Sequence, residues 1–255
     1  MMEKITVSDI ANIRTIADLR LNASGSKAVF TVVSPDVKKN DYCWNLWMLD
    51  TESKKVRQMT HLGKDSSFVW DDDSTLLLHT ERKPEDTPEK IAEKSVFYRL
   101  NTDGGEAYEA FSVDCNVSDI YPAGKGKYVL KVLVDRNLPD WKTVDKEICE
   151  EEKDYHIFDE VPFWGNGRGY ISGKRHTLFL FDEAEKKMER ITDPYADVAS
   201  VRIRDGKILY TACTWKDLIS VYDEAYLYDI DAKETRTLIG KDCLHITAAA
   251  IWKDG

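Results

Sequence analysis

The 255-residue chain lacks the signals that announce a compartment, a cofactor or a chemistry. No apolar run approaches the roughly 20 residues of a membrane span. Met1 to Arg14 holds neither the apolar core (roughly 7–15 residues) nor the small-residue cleavage site of a signal peptide, so a cytoplasmic protein is expected. The five cysteines, Cys43, Cys115, Cys149, Cys213 and Cys243, are odd in number and form no Cys-x-x-Cys pair, which excludes a disulfide framework and a zinc site of the usual spacing. Positive charge is in short supply. With 36 Lys and Arg against 46 Asp and Glu the net charge is −10, which argues against nucleic acid or an anionic membrane surface as the main partner. The alternating Gly165, Gly167 and Gly169 have no strand-to-helix transition around them, so neither a dinucleotide fingerprint nor a phosphate loop is indicated, and no cofactor is expected. A Gly-x-Ser-x-Gly nucleophile elbow is absent too.

What the chain does have is a repeat of short apolar runs. Leu46-Trp47-Met48-Leu49-Asp50 is matched by Val96-Phe97-Tyr98-Arg99-Leu100-Asn101, by Leu178-Phe179-Leu180-Phe181-Asp182 and by Tyr226-Leu227-Tyr228-Asp229. A second register runs through Lys27-Ala28-Val29-Phe30, Thr75-Leu76-Leu77-Leu78, Lys127-Tyr128-Val129-Leu130 and Lys207-Ile208-Leu209-Tyr210. Each run is too short for a stable helix and is bounded by Asp, Ser or Gly turns, so each reads as an antiparallel strand. Both registers step by roughly 50 residues, with one longer step in the third copy. A period near 40–50 with four strands per copy is that of a β-propeller blade, because a lone four-stranded sheet cannot bury both faces and must stack on its neighbours. A β-sandwich is the competing architecture. The expected fold is therefore an all-β propeller with blades at 15–62, 63–113, 114–194, 195–242 and a beginning of a fifth at 243–255. Trp252-Lys253-Asp254-Gly255 repeats the Trp70-Asp71-Asp72-Asp73 turn without the strand that follows it, so the chain reads as an incomplete propeller of about four blades.

Between these runs the sequence suggests a short helix at Ser8 to Ile16 capped by Ser8, and a polar connection at 37–43. It also suggests a solvated charged loop from Lys83 to Lys94, a turn at Tyr121-Pro122-Ala123-Gly124 and a turn at Arg204-Asp205-Gly206. The third copy carries an insertion at 135–174. Its residues 145–160 hold eight acids and two bases, ending in Asp159-Glu160.

The segment Phe163…Gly167-Arg168-Gly169-Tyr170…Arg175-His176-Thr177-Leu178-Phe179…Asp182 resembles the propeller of acylaminoacyl-peptidases and dipeptidyl aminopeptidases in the prolyl oligopeptidase family. Ser8-Asp9-Ile10, Leu21 to Gly25, Asn45 to Asp50 and Arg57-Gln58-Met59-Thr60 resemble the same family's opening strands. The resemblance implies a propeller placed before an α/β-hydrolase domain with a Ser-His-Asp triad, restricting access to peptide-sized substrates. Since the elbow is missing, this chain is expected to be inactive alone, with the absent hydrolase domain and peptide substrates as its partners. Some relatives hold a peptide's free amino terminus on propeller carboxylates, which makes Asp159 and Glu160 the candidate substrate-binding residues. The same acids read alternatively as a solvated loop face, and Arg168 and Arg175 as their ion-pair partners. His61, His79, His156, His176 and His245 have no ligand spacing. No catalytic and no metal residue is assigned. Open blade faces imply self-association. A free-standing interaction propeller is the alternative function, and a glycosidase with paired carboxylates in the channel is a third.

Overall fold

The computed structural model describes residues 6–65, 67–79, 94–124, 126–137, 156–241 and 244–252. Apart from a 3₁₀ helix at Val7–Asn12, the regular structure of these residues is β. They fall into two compact units, one through Asp114 and one from Cys115.

The first unit holds two four-stranded antiparallel sheets. One runs in the order β1 (Thr15–Leu21), β2 (Lys27–Asp36), β3 (Asp41–Asp50), β4 (Val56–Gln58), and the other β5 (Ser67–Trp70), β6 (Thr75–His79), β7 (Ser95–Asn101), β8 (Tyr108–Val113). Val29, Leu46 and Met48 of the first sheet share a core with Phe68, Leu76, Leu78 and Leu100 of the second. Polar clamps frame that core. The Trp70 indole donates to Arg20 O at 3.1 Å, Asn22 Nδ2 to Asp73 O at 3.2 Å and Lys27 Nζ to Asp103 Oδ1 at 2.7 Å.

The second unit holds β9 (Val117–Gly124), β10 (Lys127–Asp135), a two-stranded hairpin of β11 (Trp164–Gly165) and β12 (Gly169–Tyr170), β13 (Lys174–Asp182) and β14 (Lys187–Arg190). A last sheet follows in simple order from β15 (Ala196–Arg204), β16 (Lys207–Thr214), β17 (Glu224–Asp229) and β18 (Glu234–Ile239). The other four-stranded sheet has the order β14-β13-β10-β9, so residues 136–173 form an excursion between its second and third strands. Val129, Leu178 and Leu180 pack against Val198, Val201, Ile208, Tyr210 and Tyr228.

One local pattern recurs in all four sheets. The first residue of the second strand pairs with the residue closing the third: Lys27 with Asp50, Thr75 with Asn101, Lys127 with Asp182, Lys207 with Asp229. The closing residue is always Asp or Asn because its side-chain oxygen accepts the backbone N–H groups of the turn beyond. The donors are Ser53 at 2.7 Å, Asp103 at 2.7 Å, Ala184 and Glu185 at 3.1 Å, and Asp231 and Ala232 at 3.0 Å. Four residues past Asp50, Asp182 and Asp229 stands a lysine with positive φ: Lys54 at 59°, Lys186 at 52° and Lys233 at 56°.

The helix expected at Ser8 to Ile16 is shorter and starts earlier. Thr6 opens it, its N–H held by Asp9 Oδ2 at 2.6 Å, and Ile13 is already extended. Pairing of Thr15 with Val33 claims the residues a longer helix would need, and Ile10, Ile13 and Ile16 are exposed rather than gathered on a packed face. The polar connection expected at 37–43 is only a turn, because β2 and β3 stay paired out to Asp36 and Asp41. Trp44 turns its N–H and C=O to Gly63 and Asp65, so Tyr42 also faces away from β2, and its partner Pro35 needs no donor there. Tyr121 to Gly124 is not a turn but the end of β9, an edge strand where Pro122 is tolerated beside a bulge. Asp205 and Gly206 do form the expected turn, both with positive φ as a type I′ hairpin requires. The Lys83 to Lys94 loop lies outside the described residues except for Lys94. Residues 244–252 are tied back by Asp223 N to Leu244 O at 3.0 Å and by Ile246 N to Asp223 Oδ2 at 2.8 Å, and carry no strand.

These features predict a ranking by urea denaturation. Leu178→Ala, at a fully buried core position, loses about 3 kcal/mol. Asp182→Ala loses about 1 kcal/mol through its turn, and Lys186→Gly gains roughly 0.5 kcal/mol by relieving left-handed strain. Equal losses at Leu178 and Asp182 would contradict packing as the main stabilising term.

Candidate functional site

The excursion between β10 and β13 is fastened to the sheet by one carboxylate. Glu160 is 2% exposed and takes four donors: Arg175 Nη2 at 2.7 Å and Arg136 Nη1 at 2.9 Å on Oε1, and Arg175 Nη1 and Gly173 N, both at 3.0 Å, on Oε2. Arg175, second residue of β13, is 1% exposed. Its guanidinium lies 3.6 Å from the Trp215 ring centroid and also donates to Tyr195 O and Trp215 O. Arg136 stacks at 4.1 Å over Tyr195. Gly173 cannot be replaced cheaply. Its φ is 74°, in the left-handed region, and a Cβ there would stand 2.5 Å from the Asn137 amide nitrogen.

Beyond Glu160 the backbone joins the last sheet's loop: Val161 N donates to Asp217 O at 2.8 Å, and Ile219 N to Val161 O at 3.0 Å. The β11–β12 hairpin then carries an aromatic cluster. Phe158 lies 4.8 Å from Phe163 and 4.9 Å from Tyr170, and His156 lies 4.6 Å from Tyr170, centroid to centroid. All four rings are exposed, as are Trp164 and Leu218.

Burial alone would raise the Glu160 pKa. The Arg175 and Gly173 hydrogen bonds and the charges of Arg175 and Arg136 outweigh it and hold the carboxyl below the usual range. Asp197 behaves alike: burial pushes it up, but bonds from the His176 ring at 2.9 Å and the His176 N–H at 2.7 Å, with the charges of His176 and Arg175, bring it below normal.

The two sequence candidates thus take different positions. Glu160 is enclosed by cations, while neighbouring Asp159 is exposed and accepts a hydrogen bond from Ser172 Oγ at 3.2 Å. Arg175 pairs with the nearby acid as its sequence position suggests, whereas Arg168 makes no ion pair among the described residues. The acids at 145–154 lie outside the described residues. Arg136, Tyr195, Gly173 and Trp215 were not singled out by sequence. They come from four separated stretches, and only a Trp beside a strand end gave any local hint. No group of three or more His, Cys, Asp or Glu suited to a metal occurs among the described residues. The arrangement can present a carboxylate and aromatic faces to a ligand.

No protein-family model matches the chain. Its strands superpose on the acylaminoacyl peptidase of Pyrococcus horikoshii with a TM-score of 0.66 at 12% identity, covering 92% of this chain and 34% of that one. The chain has the propeller fold of the acylaminoacyl peptidases. TolB from Acinetobacter baumannii, also similar to this propeller, gives a TM-score of 0.50 at 10% identity over 88% of this chain and 43% of that one. In sequence the propeller is 23% identical over 200 residues to an uncharacterized peptidase, YuxL, of Bacillus subtilis (strain 168), covering 77% of this chain and 29% of the relative. The propeller therefore spans about a third of the length of the peptidases it matches. No helix among its described residues is long and apolar enough to cross a membrane.

Removing Glu160 leaves the buried Arg175 charge uncompensated, and removing Arg175 leaves the buried Glu160 with Arg136 as its one cation among the described residues. Glu160→Gln and Arg175→Met are each expected to cost about 3 kcal/mol, with the double variant costing far less than their sum in a double-mutant cycle. Glu160 and Asp197 have depressed folded-state pKa values, so their contribution is full above the unfolded values near 4.5 and 3.8 and is lost as pH falls through the folded ones. Glu160→Gln should flatten the acid limb of a stability–pH profile. An unchanged limb together with additive single losses would contradict the pairing.

Proposed function

We propose that this chain is the propeller portion of a serine peptidase of the acylaminoacyl-peptidase and dipeptidyl aminopeptidase type. In this reading it acts in the cytoplasm, packs against an α/β-hydrolase domain that supplies the Ser-His-Asp triad, and limits access to peptide-sized substrates. The observation that carries the reading is the fold match to acylaminoacyl peptidase over 92% of the chain. The partial span of the relatives and the missing nucleophile elbow agree with it.

Asp159 and Glu160 are proposed as the substrate-binding pair, with unequal roles. Glu160, saturated by Arg175, Arg136 and Gly173, positions the segment. Asp159, exposed beside the Phe158, Phe163 and Tyr170 rings, offers its carboxylate to the free ammonium of a peptide, and the rings offer the adjoining apolar surface.

The test is the reading frame past codon 255. It is expected to supply a Gly-x-Ser-x-Gly elbow followed by Asp and His, and Asp159→Asn in that full-length enzyme should raise KM for peptides with a free amino terminus more than it lowers kcat. A stop codon directly after Gly255 would remove the peptidase reading and leave a propeller that binds partners without chemistry. Expressed alone, the 255-residue chain should self-associate through apolar positions such as Ile16, Leu19 and Leu21, all exposed on β1. A compact monomer on size-exclusion chromatography would contradict that.

A further inference from the structure

The second unit carries a broad apolar surface that its own core leaves uncovered. Phe158, Phe163, Trp164, Tyr170, Val161 and Leu218 are each between 41% and 68% exposed. They are contiguous. The Phe158 ring packs on those of Phe163 and Tyr170, Trp164 stands opposite Tyr170 across β11 and β12, and Val161 pairs with Leu218 in the loop of the last sheet. A fully buried aromatic side chain covers about 150–250 Å², so at these exposures the six side chains offer roughly 600–700 Å² to solvent. That exceeds the ~300–600 Å² of the largest apolar patch on a typical monomer. The patch is also held from behind. Val161 follows the buried Glu160 directly, and Ile171 N donates to Phe163 O at 2.8 Å across the hairpin. A surface fixed in this way loses little freedom on docking.

Two exposed charges of opposite sign border the patch at the two ends of the hairpin. Asp159 lies at the base, its carboxylate accepting from Ser172 Oγ at 3.2 Å. Arg168 lies in the turn between β11 and β12 and makes no ion pair among the described residues. Its Nε would stand 3.4 Å from a Cβ added at Gly165, so the side chain lies along the hairpin rather than off its tip. A two-fold contact is isologous: residue i of one copy meets residue j of the other, and the reverse. Two hairpins laid antiparallel, tip over base, bring Arg168 of each copy to Asp159 of the other while ring packs on ring. One acid and one base thus become two symmetric ion pairs. The area agrees, because a stable interface takes about 800 Å² from each partner, which the six side chains nearly supply and the bordering charged residues complete. The net charge of −10 disfavours an anionic lipid surface as the cover.

We propose that a second copy of this chain docks on the patch as a two-fold dimer, with the β11–β12 hairpins face to face and Asp159 and Arg168 paired across the contact. The dimer does not depend on the peptidase reading, because every group in it belongs to this chain. One consequence does rest on that reading. With Arg168 of the second copy against Asp159, a peptide ammonium is kept from the same carboxylate, so dimer formation and free-amine peptide binding exclude each other.

Sedimentation of the full 255-residue chain over a concentration series, joined to hydrogen exchange at low and high concentration, tests the dimer without any peptide. A dissociation constant in the micromolar range or tighter is expected, and amides at 161–171 and around Leu218 should gain protection as concentration rises. Asp159→Arg and Arg168→Asp should each weaken the dimer by about tenfold or more, since each sets like charges opposite one another at two symmetric places. The double exchange Asp159→Arg/Arg168→Asp should restore it. Both positions are exposed, so neither change disturbs the core. Leu19→Ser/Leu21→Ser, on β1, should leave the protection of the hairpin unchanged, which separates this contact from association through β1. A monomer at every concentration, protection confined to β1, or a double exchange that fails to restore association would overturn the proposal. So would a monomer whose hairpin amides gain protection only from phosphatidylcholine vesicles, which would give the patch to a lipid surface.

Discussion

A four-stranded antiparallel sheet has two faces, and only another element can cover them. In each unit of this chain the cover is a second sheet of the same kind: Val29 and Leu46 meet Phe68 and Leu78, and Val129 and Leu178 meet Val198 and Ile208. The turns serve that stack. Asp50, Asn101, Asp182 and Asp229 each stop a third strand by capturing the N–H groups that follow, which keeps the strands short enough for neighbouring sheets to lie face to face. Burying a leucine outweighs one such turn several-fold, so packing sets the architecture and the turns set its register.

Departures from this economy of short connections mark where function is to be sought. Glu160 ties the described end of the connection after β10 to its own sheet, beside the Val161 backbone bonds to the loop of the last sheet. The carboxylate is held by two arginines and a backbone N–H, and Arg175 is itself braced by Trp215 and by the Tyr195 carbonyl. A hydrophobic contact of similar size would stabilise the fold as well or better, so the value of the charged network lies in fixing one geometry. That geometry turns Asp159 and a cluster of aromatic rings outward.

The fold class was legible in the sequence because every copy carries the same local chemistry. The runs at Lys27, Thr75, Lys127 and Lys207 open second strands, and those ending at Asp50, Asn101, Asp182 and Asp229 are third strands. Local punctuation misled where tertiary pairing overruled it. Pro122 lies in a stretch that reads as a turn, yet it sits within β9, as Pro35 sits within β2, at positions that need no N–H donor. The stretch from Ser8 to Ile16 reads as a helix, although the chain is drawn into β1 from Thr15 onward. At the site, Arg175 and Glu160 were visible as opposite charges near one another. Their burial was not, because it depends on Trp215, Tyr195 and Gly173, which only the folded sheets bring together.

The most direct test of the pinned excursion is amide hydrogen exchange at Val161, Gly173 and Ile219, whose N–H groups bond Asp217 O, Glu160 Oε2 and Val161 O. If Glu160 holds the excursion to the sheet, these amides exchange slowly in the wild-type chain, together with those of β13, and become fast in Glu160→Gln while the β2 and β3 amides stay protected. Exchange at unprotected loop rates in the wild-type chain, or continued protection in Glu160→Gln, would contradict the account.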